Sequence, residues 1–323
     1  MTFSAIVVGC GRIGSEYSFQ TTSPGVHSHA QAYFEHPQTN LVGVVDISEA
    51  AVKRAEFSWR CRGSTNAVEL INELKPDIVS ICTPDHTHAT LACEILEKYA
   101  PKLLFMEKPL ATSKKEAKKI LALAQLKGTS LGVNFTRRYT PIYQILKNEL
   151  RSGIHGKPLR ARVLYSKGLA HAGSHALDLL RFWIGEAQEV NHRKLSAWGP
   201  NGDSSLSADI LFEGNVSASI EGFDDRCASV FEVEIFTEKT RWILSNGGTE
   251  WRFFEARHGE LFPEYREYFP TGRERKEPSL QDEKGALFYA VENIVAHLQK
   301  KSPLICDGAE GLATIELIEK IRK

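Results

Sequence analysis

A glycine-rich turn that begins at residue 9 constrains this chain more than any other feature. Gly9-Cys10-Gly11-Arg12-Ile13-Gly14 follows directly on a short apolar run at residues 5–8. In a G-x-G-x-x-G turn between a strand and a helix, the glycines permit the tight turn, the approach of a phosphate to the backbone and close helix packing. The helix N-terminus also attracts phosphate charge. We therefore predict that the turn binds the pyrophosphate of a dinucleotide, through Gly9, Gly11, Arg12, Ile13 and Gly14.

Apolar runs alternate with amphipathic stretches along the first part of the chain. The runs lie at residues 5–8, 41–45, 77–82, 103–106 and 130–133, and the helix candidates between them include residues 48–57, 88–99 and 113–126. Ser113 and Glu116 have the spacing of a capping box at the start of the last one. Short apolar runs are typical of parallel strands covered on both faces. The fold class is therefore α/β, with a Rossmann domain over residues 1–133.

The pattern changes after residue 133. Longer alternating strand candidates lie at residues 159–166, 205–212, 216–222 and 230–237, with one amphipathic helix at residues 174–183 among them. A polar stretch at residues 270–283 is typical of a solvated loop, and two further helices are predicted at residues 285–299 and 308–323. We predict a second, α+β domain over residues 134–323, built on a largely antiparallel sheet.

Composition excludes several classes of partner. A length of 323 residues favours about two cores. Lys plus Arg and Asp plus Glu are 40 each, so charge predicts neither nucleic acid nor a membrane surface as partner. No apolar run approaches ~20 residues, and no secretory leader precedes the first strand. The six cysteines form no CxxC pair. We expect a cytoplasmic protein with reduced thiols and a small-molecule ligand.

Asp46 closes the second apolar run and bears on cofactor choice. A carboxylate there can accept both adenosine ribose hydroxyls and would repel a 2′-phosphate, which favours NAD. Asp46 lies further from Gly14 than the usual ~20 residues, and we attribute the excess to an insertion at residues 15–25. Two cations that follow Asp46, Lys53 and Arg54, would tolerate a 2′-phosphate, so NADP stays an alternative cofactor. The alternative for Asp46 is an ordinary strand-end residue.

Four more motifs lie in register along the chain. They are Thr83-Pro84 with His88, Glu107-Lys108-Pro109, Asn134-Phe135-Thr136-Arg137-Arg138-Tyr139 and Gly173-Ser174-His175-Ala176-Leu177-Asp178. With these motifs the chain resembles the family of glucose-fructose oxidoreductase, myo-inositol dehydrogenase and related sugar dehydrogenases (Gfo/Idh/MocA). The resemblance implies a Rossmann domain and an open-faced sheet domain, with the substrate between them. It also implies cofactor contacts, which we assign to Thr83, Pro84, His88, Glu107 and Lys108.

Lys108 and His175 are, by the same resemblance, the acid/base groups. Oxidation of an alcohol moves a hydride to the nicotinamide and a proton to a base that titrates near neutrality. Lys108 follows a parallel strand at its carboxyl end, where open α/β sheets bind ligands. Pro109 would hold the turn, with a cis peptide as one way to do so. The alternative is a surface lysine before a helix-starting proline.

His171 stands where many relatives of this family carry Asp, four residues before His175. It either contacts substrate, relays a proton or packs. The pattern HxxxH lacks the Glu and the third ligand of a zinc site, so we predict no metal. Asp178 either orients the His175 ring or only caps and packs.

The substrate is the least constrained element. Arg137, Arg138, Arg162 and Lys167 are candidates to meet a phosphate or carboxylate, or are surface cations. We predict an NAD(P)-dependent oxidoreductase that acts on a secondary hydroxyl or ketone of a sugar, cyclitol or nucleotide-activated sugar, bound by Arg137, Lys167, His171 and His175. The alternatives are an NAD-dependent redox-neutral glycosidase and a non-catalytic NAD-binding regulator. An open sheet face favours a homodimer or homotetramer.

Overall fold

The computed structural model describes residues 2–271 and 284–323 and divides into two compact units. The first is Met1–Thr140 with Gln281–Ile315, and the second is Pro141–Leu280 with Glu316–Lys323. This division differs from the predicted single boundary after residue 133. The reason is burial, because Leu287, Val291 and Ile294 lie in the core of the first unit. Burying each such side chain contributes about 1.5–3 kcal/mol. Residues 272–283 of the predicted polar loop lie outside the described residues.

The described part of the first unit contains a six-stranded parallel sheet with the strand order β3-β2-β1-β4-β5-β6. Its strands are β1 (Phe3–Val8), β2 (Thr39–Val45), β3 (Arg62–Ser64), β4 (Ile78–Ile81), β5 (Leu103–Glu107) and β6 (Ser130–Asn134). Every residue of β4 is buried, as the apolar runs imply for covered strands. All five predicted runs are strands. The short β3 was not predicted, since three partly polar residues carry no periodic signal.

Helices connect the strands of the first unit, and others belong to the second. The helices are α1 (Tyr17–Gln20), α2 (His29–Glu35), α3 (Glu49–Trp59), α4 (Ala67–Leu74), α5 (His88–Lys98), α6 (Lys114–Lys127), α7 (Thr136–Tyr139), α8 (Pro141–Ser152), α9 (Ser174–Ile184), α10 (Ala286–Leu298) and α11 (Gly308–Arg322). The predicted helices correspond to α3, α5, α6, α9, α10 and α11. The capping box is confirmed, because Ser113 Oγ accepts the N–H of Glu116 at 3.3 Å and donates to its carboxylate at 2.9 Å.

The connection between β1 and β2 corrects the predicted insertion. Residues 15–20 are helical, within a π-helical turn (Arg12–Glu16) and α1, so they extend the first helix. The irregular loop covers residues 21–28, and α2 follows it. The additional length before Asp46 therefore includes a second helix, α2, which was not predicted from the sequence.

The second unit is built on a mixed sheet, eight-stranded within the described residues, with the order β14-β13-β12-β11-β7-β10-β9-β8. Its strands are β7 (Pro158–Tyr165), β8 (Ala187–Ala197), β9 (Ser205–Phe212), β10 (Val216–Gly222), β11 (Phe231–Thr237), β12 (Thr240–Ser245), β13 (Glu250–His258) and β14 (Arg266–Pro270). β7 and β10 pair in parallel, and the other neighbours pair antiparallel. The predicted α+β class is confirmed. The polar edge strand β8 and the strands β12 to β14 were missed.

Over residues 2–271 and 284–323, no helix combines the length and the apolar character needed to cross a bilayer.

Candidate functional site

The glycine turn joins β1 to the first helical turn, and its glycines differ in their surroundings. Gly9 has a φ of +100°, and a Cβ there would lie 2.7 Å from the backbone of Cys82. A Cβ on Gly14 would lie 1.8 Å from the Gly9 carbonyl oxygen. A Cβ on Gly11 would meet nothing within 4 Å. Gly9 and Gly14 therefore permit the close packing of the turn, and Gly11 leaves the open space that a pyrophosphate needs.

Asp46 contacts this turn directly. Its Oδ2 accepts the N–H of Cys10 at 2.8 Å, and its Oδ1 accepts the N–H of Ser48 at 2.9 Å. Each carboxylate oxygen keeps a further lone pair for a ribose hydroxyl. Arg54, considered above for NADP, pairs with Glu16 at 2.8 Å. The residues around the turn therefore fit an NAD ribose and pyrophosphate.

His88 links the loops that follow β4 and β5. Its buried ring places Nδ1 2.7 Å from the Pro109 carbonyl and Nε2 2.8 Å from the Thr83 carbonyl. Carbonyl oxygens only accept, so the imidazole is the donor toward these two loops. This geometry favours support of the two loops over the direct cofactor contact predicted for His88. Thr83 and Pro84 do lie near the glycine turn, because Thr83 N would be 2.9 Å from a Cβ on Gly9.

The half-buried Lys108 follows β5, and a cis peptide joins it to Pro109. It is preceded by Glu107, whose carboxylate is enclosed by donors. Glu107 Oε1 accepts from His29 Nε2 at 2.9 Å and from Asn134 Nδ2 at 2.6 Å. Glu107 Oε2 accepts the backbone N–H of Lys108 at 3.3 Å. Lys108 therefore lies at the strand end where the sequence placed it, beside a fixed carboxylate.

The charge of Glu107 follows from these contacts. Burial raises its pKa, but the hydrogen bond and charge of His29, the hydrogen bond of Asn134 and the charge of Lys108 outweigh burial. The pKa of Glu107 is therefore below its ordinary value of 4.5. The carboxylate is ionised at neutral pH and acts only as an acceptor.

His171 and His175 of the second unit lie on one helical segment. His171 belongs to the π-helical turn Gly168–Gly173, and His175 lies at the start of α9, which continues that turn. His171 is exposed and His175 is half-buried. Lys167 precedes the segment with a φ of +68° and is exposed. In the described ranges, no group of three or more His, Cys, Asp or Glu side chains is arranged to hold a metal ion.

Asp203 holds the beginning of that segment and was missed by the sequence analysis. Its Oδ2 accepts the N–H of Ala170 at 2.9 Å and of His171 at 3.0 Å. Its Oδ1 accepts from Arg322 at 2.9 Å. A carboxylate at the first N–H groups of a helix satisfies donors that the helix leaves unpaired. No local signal relates Asp203 to His171, because 32 residues separate them.

Three other candidates take part in ion pairs. Arg138 is 2% exposed and pairs with Glu310 at 2.9 Å. Arg162 lies 3.5 Å from Glu221 on the sheet of the second unit. Asp178 is buried with its Oδ1 4.0 Å from Arg181 Nη1, which favours a packing role. The burial and ion pair of Arg138 favour a packing role, and the substrate contact considered for that residue stays a prediction. Arg137, half-buried on α7, stays a prediction.

His29 and Asn134, the partners of Glu107, were not predicted as site residues. A signal for the helix of His29 exists, because Ser28 and Gln31 have capping-box spacing and Ser28 Oγ accepts the Gln31 N–H at 3.2 Å. The partner of His29 has no such signal, since Glu107 lies 78 residues away.

Comparison with known proteins gives concordant matches. Residues 3–135 match the oxidoreductase family with an NAD-binding Rossmann fold. The chain is 25% identical over 291 residues to inositol 2-dehydrogenase 4 of Saccharopolyspora erythraea, covering 81% of this chain and 80% of the relative. Levoglucosan dehydrogenase in complex with NADH has a TM-score of 0.80 at 16% identity, covering 100% and 96%. The WlbA dehydrogenase of Bordetella pertussis, in complex with NADH and UDP-GlcNAcA, has a TM-score of 0.78 at 17% identity, covering 99% and 94%.

The family match covers the glycine turn, Asp46 and the Lys108 turn, and the structural matches extend the agreement in fold over both units. The open space at Gly11 and the carboxylate beside it fit the dinucleotide that this family binds. Over residues 3–135 the chain belongs to the glucose-fructose oxidoreductase and inositol dehydrogenase family of oxidoreductases with an NAD-binding Rossmann fold.

Proposed function

We propose that the protein is an NAD(H)-dependent dehydrogenase or ketoreductase for a secondary hydroxyl of a sugar, cyclitol or nucleotide-activated sugar. The Lys108 turn carries this proposal, because it places an amine at the carboxyl end of a parallel strand beside an ionised, enclosed carboxylate. The matched proteins support the substrate class, since they include an inositol 2-dehydrogenase and a dehydrogenase in complex with UDP-GlcNAcA.

Each candidate residue has one task in this proposal. The N–H groups of the glycine turn receive the pyrophosphate, and Asp46 accepts the ribose hydroxyls. When bound, NAD accepts or returns the hydride of the substrate carbon. The amine of Lys108 takes the hydroxyl proton during oxidation and returns it during reduction.

The second unit contributes polar groups of a different kind. His175 donates a hydrogen bond to the substrate or relays its proton. His171, one turn earlier, contacts the same substrate. Lys167 and, in the first unit, Arg137 would pair with a phosphate or carboxylate of an activated sugar.

A substrate panel tests the proposal. Purified protein is incubated with NAD⁺ and, one at a time, nucleotide sugars, free sugars and cyclitols, while NADH absorbance is followed. We expect net NADH formation with at least one compound. Product release without net NADH would indicate a redox-neutral glycosidase. NADH binding without turnover on any compound would indicate a regulator.

We also propose that the chain forms a homodimer or homotetramer through the open face of its second sheet. Arg193 with Asp209 and Arg241 with Glu234 form cross-strand ion pairs of partly exposed side chains on that sheet. In a two-fold interface the same patch of both subunits is in contact, so one exposed sheet face can cover its own copy. Light scattering after gel filtration should give a mass of two or four chains, and a monomer would contradict this assignment.

We place the protein in the cytoplasm, as its cysteines support. All six are free thiols, which is usual in a reducing compartment. Fractionation of cells that express the tagged protein should recover it with cytoplasmic markers.

A further inference from the structure

We propose that His29 is a positioning residue for the Lys108 turn and acts through the carboxylate of Glu107. The proposal rests on the function proposed above for Lys108. His29 begins α2, in the connection between β1 and β2, and is 1% exposed. It lies outside every motif that carries the family resemblance, yet its ring reaches the Glu-Lys-Pro turn.

The ring of His29 is fixed on three sides. Nε2 lies 2.9 Å from Glu107 Oε1, and Nδ1 lies 3.2 Å from the Oγ of Ser80 on β4. The ring centroid lies 5.3 Å from that of Phe105 on β5. Ser80 Oγ is in turn 2.8 Å from the hydroxyl of Tyr33, one turn along α2. α2 is therefore bound to the buried ends of β4 and β5 through this one side chain and its partners.

The donors and acceptors around the His29 ring agree. The Glu107 carboxylate only accepts, so Nε2 of His29 donates to it. Nδ1 meets a serine hydroxyl, which can accept or donate. The amide nitrogen of Asn134 lies 3.3 Å from the same Nε2 and donates to Glu107, while among the described residues the buried Asn134 Oδ1 has no hydrogen-bond partner. The His29 ring has a partner at each nitrogen and is therefore held in one orientation.

Glu107 transmits this constraint to Lys108. Its Oε1 is held by His29 and Asn134, and its Oε2 accepts the Lys108 backbone N–H at 3.3 Å. Removal of His29 leaves an enclosed, ionised carboxylate short of one donor, and such a carboxylate turns toward other partners or solvent. The first peptide of the turn then loses its fixed acceptor. The amine of Lys108 samples orientations away from the reacting hydroxyl.

The experiment compares His29→Leu, which removes both ring nitrogens, with His29→Gln, whose amide can still donate to Glu107. His36→Gln is the matched control, because His36 is a buried imidazole at the end of α2 that contacts Phe288, its ring centroid 5.2 Å away. Acetic anhydride at limiting concentration labels each folded variant. Mass spectrometry then gives the acetylation rate of Lys108 relative to exposed lysines of the same chain, and NADH affinity is measured by fluorescence.

We expect Lys108 of His29→Leu to be labelled several-fold faster than wild type, because a loosened turn exposes the amine. NADH affinity should stay near the wild-type value. Turnover on the best substrate of the panel should fall about 10- to 100-fold with little change in KM, as misplacement of a catalytic group does. His29→Gln should be intermediate, and His36→Gln should match wild type.

An unchanged or slower labelling rate in folded His29→Leu would overturn the proposal. The proposed function stands apart from that result, because it is tested by the substrate panel and by the activity of Lys108→Met. If His29→Leu does not fold, Glu107→Gln with His29→Gln takes its place. Wild-type labelling and turnover in both of those variants would equally overturn the role of His29.

Discussion

The two units hold their candidate residues by different means. In the first unit, Gly9, Asp46 and Lys108 each follow a parallel strand, so sheet topology collects them at one edge. In the second unit, His171 and His175 lie on a single helical segment whose start is fixed by Asp203, a residue from outside that segment. Site residues that directly follow strands can therefore be predicted from the sequence. The position of His171 and His175 depends on Asp203, whose long-range contact the sequence does not reveal.

This difference has an energetic counterpart. In the first unit, Gly9 and Gly14 are closely packed against backbone, whereas Gly11 faces open space that a ligand can occupy. In the second unit, one side-chain carboxylate determines where the helical segment begins. Substitutions should therefore affect ligand affinity and stability in different proportions in the two units.

The largest expected effect is a loss of turnover caused by a substitution in the second unit. His175→Ala should lower kcat by about 10²- to 10⁴-fold, the usual contribution of an acid/base group. NADH affinity should not change, because the residues that fit the dinucleotide belong to the first unit. Steady-state rates and NADH titrations of the same preparation check this. A parallel loss of NADH affinity would remove the distinction between the units.

Gly11→Val should weaken NADH binding on the order of 100-fold, about 2.7 kcal/mol, because its side chain fills the open space at the turn. Thermal unfolding should stay near wild type, since a Cβ there meets nothing within 4 Å. Gly14→Val is the contrasting variant, because its Cβ would lie 1.8 Å from the Gly9 carbonyl oxygen and should destabilise the fold. Unaltered NADH affinity in folded Gly11→Val would mean that phosphate binds elsewhere.

Asp203→Ala should destabilise the second unit by about 1–2 kcal/mol, because it removes the oxygens that cap the helical segment. Urea unfolding measures the change. Asp209→Ala is a suitable control, because the Asp209 side chain is 44% exposed and paired with Arg193 on the sheet surface. Exposed pairs contribute about 0–1 kcal/mol. Equal effects of the two substitutions would argue that Asp203 does not fix the segment.

The smallest expected effect concerns cofactor choice. Wild-type protein should bind NADH more tightly than NADPH, because Asp46 places a negative charge where the 2′-phosphate would lie. Asp46→Asn should reduce that preference several-fold. Both dissociation constants have to be measured at one ionic strength, since salt screens the repulsion. Equal or tighter NADPH binding by wild type would contradict the assignment of Asp46.

Local patterns were sufficient for much of the fold. The five strands of the first unit that were predicted could be recognised as apolar runs, because a parallel strand covered on both faces is apolar throughout. The polar strand β8 carries no such pattern and was missed, as were β12 to β14. The return of α10 to the first core was missed as well, because an amphipathic helix does not specify which core covers its apolar face.

The candidate site divides in the same way. The glycine turn, Asp46 and Lys108 were predicted because each adjoins a strand that the sequence reveals. His29 and Asp203 were missed because their partners lie 78 and 32 residues away and only the folded chain brings them together. The structural pairing of Arg138 with Glu310 was equally hidden, since it joins residues 172 positions apart.

The role of Lys108 is tested most directly by kcat and its pH dependence in Lys108→Met and Lys108→Arg, on the best substrate of the panel. We expect both variants to lose about 10²- to 10⁴-fold in kcat with NADH affinity retained. Arginine should not rescue, because a guanidinium stays protonated and cannot accept the hydroxyl proton. Near-wild-type turnover in Lys108→Met, with turnover abolished in His171→Ala, would contradict the account and make His171 the proton acceptor.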